Sequence, residues 1–70
     1  MISHFEYLTR LTNDKMVAEI NQFDRYELID ILMKNDPNGI YSDKLCIQEF
    51  GYIATIKELK DSLINQVINY

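Results

Sequence analysis

Cysteine, histidine, proline and glycine are scarce in this chain: its 70 residues include one Cys, one His, one Pro and two Gly. Each scarcity removes a class of answer. The lone Cys46 forms no intramolecular disulfide and belongs to no CxxC motif, and His4 has no Ser, Cys or ligand set near it in sequence to make a triad or a metal-binding spacing. Gly39 and Gly51 do not build a phosphate-cradling loop. With so little Pro and Gly there is also little room for linkers or disordered tracts. Basic residues are few as well. Seven Lys and Arg stand against eleven Asp and Glu, and the resulting net charge of −4 repels a phosphate backbone at long range. No apolar run is long enough to span a bilayer and no charged-apolar-small leader is visible, so the expected address is the cytoplasm, with no membrane partner. A core this small also leaves little space for a substrate pocket. The expectation is a non-enzyme without cofactor or metal.

What is present reads as helix. Ser3-His4-Phe5-Glu6, Asp24-Arg25-Tyr26-Glu27 and Thr55-Ile56-Lys57-Glu58 each place an N-cap oxygen three residues before a Glu, whose carboxylate reaches back to the cap N–H. Ile2 and Tyr7, and Phe23 and Leu28, have hydrophobic-staple spacing around the first and third starts. Thr12 or Asn13 caps a second helix, and Ser42 caps a fourth that ends at Gly51, a residue free to take positive φ. The spacing therefore predicts an all-α fold, a compact small bundle of four to five short helices near residues 3–11, 13–21, 24–34, 43–50 and 55–69. Nothing between Leu11 and Asp14 breaks the chain, so the first two segments also read as one bent helix.

Apolar residues recur at three- and four-residue steps: Phe5, Leu8 and Leu11; Val17 and Ile20; Leu28, Ile29, Leu32 and Met33; Leu45, Ile47 and Phe50; Ile56, Leu59, Leu63, Val67 and Ile68. These are the predicted core stripes. Residues 35–42 form a loop in which Gly39-Ile40-Tyr41 has room for one short β-bridge. An EF-hand needs Gly at its sixth position and Glu at its twelfth, and neither register starting at Lys34 or Asp36 supplies the set. Asp36-Pro37-Asn38-Gly39 reads instead as a reverse turn, with Asn or Gly at positive φ.

A chain of this length buries only roughly 60% of the surface exposed when it is unfolded, so a partner or a second copy is expected to help stabilise it. On the third helix Asp24, Glu27 and Asp30, with Glu19 across the preceding turn, form an acidic edge interrupted by Arg25 and ended by Lys34. Such a stripe suits a protein with a basic surface. Tyr26, Tyr41 and Tyr52 are rings of the type that anchor interfaces. The Ile56, Leu59, Leu63 and Val67 stripe of the last helix, backed by Ile64 and Ile68, is a candidate homodimer seam. The leading expectation is a non-catalytic protein-binding module that regulates or inhibits another macromolecule. Heavy use of Ile, Asn, Lys and Tyr fits an AT-rich genome and an accessory protein of a bacterium or its virus. The alternative is a dimeric helix-turn-helix DNA binder, with Leu45 to Leu63 as the motif and Lys44, Lys57 and Lys60 as the contacting residues. Its would-be recognition helix is poor in Arg and also carries Glu58 and Asp61, so nucleic acid is the less expected partner. A structural assembly subunit is the third expectation.

Overall fold

The computed structural model describes residues 2–70, and among them finds five α-helices and no strand or bridge: α1 (His4–Thr9), α2 (Asn13–Asn21), α3 (Arg25–Asn35), α4 (Asp43–Phe50) and α5 (Ile56–Ile68). Every start is capped. Ser3, Thr12, Asp24, Ser42 and Thr55 each accept a backbone N–H from three residues on. Asp24 with Glu27 and Thr55 with Glu58 close full reciprocal boxes, while Ser3 makes the forward bond from Glu6 alone among the described residues. Thr12 is the second cap, with extended backbone that separates α1 from α2, so residues 3–21 form two helices and not one. Gly51 ends α4 at φ 81, donating its N–H to the Ile47 carbonyl. Gly39 donates to the Asp36 carbonyl at 3.0 Å, closing the expected turn, but neither Asn38 nor Gly39 takes positive φ.

α5 is the hub. It packs against α1, α2 and α3, and Leu59, Leu63 and Val67 meet Phe5, Leu8, Met16, Ile20, Leu28, Ile31 and Leu32 in one buried cluster. Phe23 is partly buried and packs on that cluster, to which the fully buried Leu28 belongs. Met16 and Ile31 are core residues that the periodicity assignment missed, and Ile29 is only partly buried. Three helices thus pack on α5.

α4 is the exception. Its single buried side chain is Cys46, which lies outside the main cluster. Leu45, Ile47 and Phe50 were expected in the core and are exposed, as are Met33, Ile56 and Ile68 on other helices. Polar links help hold α4 and its leading loop in place. Arg25, at the start of α3, pairs with Asp43 at 2.5 Å, and the Cys46 thiol donates to the Ile40 carbonyl at 3.7 Å. No helix among the described residues is long and apolar enough to cross a membrane.

Candidate functional site

Arg25 sits in the first turn of α3, where a positive charge opposes the helix dipole, and its side chain is not on the acidic edge at all. It turns inward to Asp43 and is only 18% exposed, with its Nε buried and lacking a hydrogen-bond partner. Asp43 keeps the guanidinium firmly protonated, its hydrogen bond outweighing the opposing effect of burial. The edge expected to be interrupted by Arg25 is therefore uninterrupted at that point. Asp24, Glu27 and Asp30 are all exposed along it.

Tyr26, Asp30 and Met33 follow one another at helical steps on the outer face of α3, and all three are exposed, Tyr26 to 77%. Two of the acidic residues already have local duties: Asp24 Oδ1 accepts from the Glu27 N–H at 2.9 Å, and Glu27 Oε1 accepts from the Asp24 N–H at 3.5 Å. Asp30 accepts from Lys34 Nζ at 3.0 Å, an exposed pair one turn apart that an incoming cation can replace at little cost. Glu19, on α2, is partly buried.

Beside Asp30 the surface opens into a cleft of about 330 Å³ between the start of α1 and the end of α3, with Ile2, His4, Phe5, Ile31 and Lys34 among its lining residues. Phe5 and Ile31 are buried and supply an apolar floor, and Asp30 and Lys34 give a charged rim. His4 stacks at a tilt on Phe23, ring centres 5.2 Å apart. An aliphatic stem with a cationic head matches this combination of floor and carboxylate. Sequence reasoning did not find the cleft, because it joins residues some thirty positions apart. The only local signal was Asp30 at its rim.

The other expected residues are placed differently. Tyr41 is not a free loop ring: its hydroxyl donates to Asp36 Oδ2 at 2.8 Å and accepts from Gln66 Nε2 at 2.7 Å, while Gln66 Oε1 accepts from Asn35 at 2.9 Å. That relay braces the 36–41 loop against α5. Burial, and then the Asp36 hydrogen bond, raises the Tyr41 pKa, with Gln66 opposing. Tyr52 is exposed beyond Gly51, its ring 6.1 Å from that of Phe50 and far in the chain from the α3 stripe. Of the four residues of the expected dimer seam, Leu59, Leu63 and Val67 are buried in the chain's own core and Ile56 alone is exposed.

The three lysines of the DNA reading are not presented as a free basic patch. Lys60 donates to the Asn21 carbonyl at 3.2 Å, where it caps the end of α2, and Lys57 pairs with Asp61 at 2.9 Å. Lys44 is exposed on α4. The helix that would enter a groove, α5, is the hub of the core, and its outer face carries Glu58 and Asp61 beside the lysines. No family model, curated protein or solved structure matches this chain.

Proposed function

We propose that this chain is a small, non-catalytic protein-binding module, a regulator or inhibitor of another macromolecule in the cytoplasm, and that it docks a basic protein surface on the outer face of α3 and the adjoining cleft. The observation that carries this reading is the withdrawal of Arg25 to Asp43, which leaves Tyr26 and Met33 standing among Asp24, Glu27 and Asp30, with Lys34, paired with Asp30, as the cation that ends the stripe. A large amphipathic ring surrounded by carboxylates suits a partner that offers an arginine or lysine beside apolar side chains. The partner's cation takes Asp30 from Lys34, and its aliphatic stem lies over Phe5 and Ile31 in the cleft.

Nuclear magnetic resonance titration with a short arginine-containing apolar peptide tests the assignment. Shifts are expected at the amides of Ile2, Tyr26, Asp30 and Ile31, weakening as salt is raised. Shifts confined to α4 and α5, or none with the cationic peptide, count against this surface. Tyr26→Ala and Asp30→Lys are the appropriate variants, because reversing Asp24 or Glu27 would also break the cap of α3 and lower stability by about 1 kcal/mol.

A further inference from the structure

We infer that Asp43 on α4 is a positioning residue for the α3 binding face: by holding Arg25 away from that face, α4 sets its charge and so its affinity for a basic partner. The inference rests on the reading of α3 as the docking surface. It adds that a separate helix controls that surface.

Arg25 has little to hold it in place except Asp43. Its side chain is only 18% exposed, and its Nε is buried with no hydrogen-bond partner. A buried N–H left unpaired is costly, and a mostly buried cation stripped of its counter-ion costs more. The dipole of α3 gives no help, because the guanidinium belongs to the first turn, the positive end of that helix. Asp43 supplies the charge-assisted hydrogen bond that offsets these penalties. Without it, water is the better place for the guanidinium.

A released Arg25 side chain has the acidic edge as its neighbour. Asp24 and Tyr26 flank it in sequence, Glu27 lies in the same turn, and all three are exposed. A mobile cation there competes with the partner's arginine or lysine for the same carboxylates and repels it at long range. Among the five helices, α4 is also the one best suited to let go. It has one buried side chain, Cys46, where each of the others has two or three. When α4 undocks it takes Asp43 with it, returns a cation to the α3 face and weakens the contact made there. Linkage makes the effect mutual, so a basic ligand on α3 favours the docked state of α4.

Affinities of the arginine-containing apolar peptide for wild type, Asp43→Asn and Arg25→Gln/Asp43→Asn test the inference, with helicity checked by circular dichroism. Ser42, not Asp43, supplies the cap of α4, so the first variant leaves that helix its start. Asp43→Asn is expected to bind roughly threefold to fivefold more weakly at low salt. Adding Arg25→Gln is expected to restore the affinity, although it anchors α4 no better. A merely structural role for Asp43 predicts the opposite, a double variant at least as weak as the single one. A second measurement leaves Asp43 unchanged and so stands even if Asp43→Asn fails to fold. Saturating peptide should slow the reaction of the Cys46 thiol with a thiol reagent in wild type, and slow it less in Arg25→Gln. Equal affinity of wild type and Asp43→Asn, a double variant that stays weak, or equal slowing in both chains overturns the inference and leaves the α3 surface standing. No binding of the peptide by wild type overturns both.

Discussion

A methyl group on Gly39 would run into the Tyr41 ring and the Asp36 carboxylate, so the glycine is required by close approach and not by its backbone angles. What it makes room for is the relay from Asn35 through Gln66 and Tyr41 to Asp36, which ties a turn to the central helix. Tyr41→Phe removes the middle of that relay and is expected to lower stability by about 1 kcal/mol. A pH dependence follows from the raised Tyr41 pKa. The fold favours the protonated phenol, so the contribution is complete below the unfolded tyrosine value of about 10 and is lost as pH rises through the higher folded value. Urea denaturation at neutral and alkaline pH should show the wild type losing its advantage over Tyr41→Phe above that range. A difference that stays constant with pH contradicts the relay.

Among the elements, the helix starts were legible because their signals are local. Asp24 with Glu27, Thr55 with Glu58, and Gly51 after Phe50 each act within a few residues, and the structure places all of them where those spacings require. Burial was less legible. Leu45, Ile47 and Phe50 have helical spacing, but spacing describes a helix surface and says nothing of whether a neighbour covers it. Arg25 is the sharper case. Its partner Asp43 is 18 residues away, so neither its inward turn nor the clear acidic face that results could be read from α3 alone. This weak anchoring of α4 has a measurable consequence. Cys46 is almost fully buried, and α4 is held largely by that residue and the Arg25–Asp43 pair. Asp43→Ala is expected to cost about 1 kcal/mol and to speed reaction of the Cys46 thiol with a thiol reagent, while amides at the centre of α5 exchange as slowly as before relative to global stability. Unchanged thiol reactivity would mean that α4 is held by something else.

At the scale of the whole molecule, a Cα radius of gyration of 11.9 Å slightly exceeds the roughly 11 Å expected for 70 residues, in line with a body whose longest extent is 36 Å. The core formed by α1, α2, α3 and α5 leaves two surfaces with different chemistry. The α3 face combines carboxylates with Tyr26, and its partner is expected to depend on salt; the α4 end is dominated by exposed apolar side chains, among them Ile47 and Phe50. The most direct test of protein binding is capture from a nuclease-treated lysate of the cells that encode this chain, followed by mass spectrometry, comparing wild type with Tyr26→Ala/Asp30→Lys. One stoichiometric protein held by the wild type, released by salt and lost from the helical double variant is the expected result. Capture of nucleic acid alone, or a partner held equally well by both chains, contradicts it.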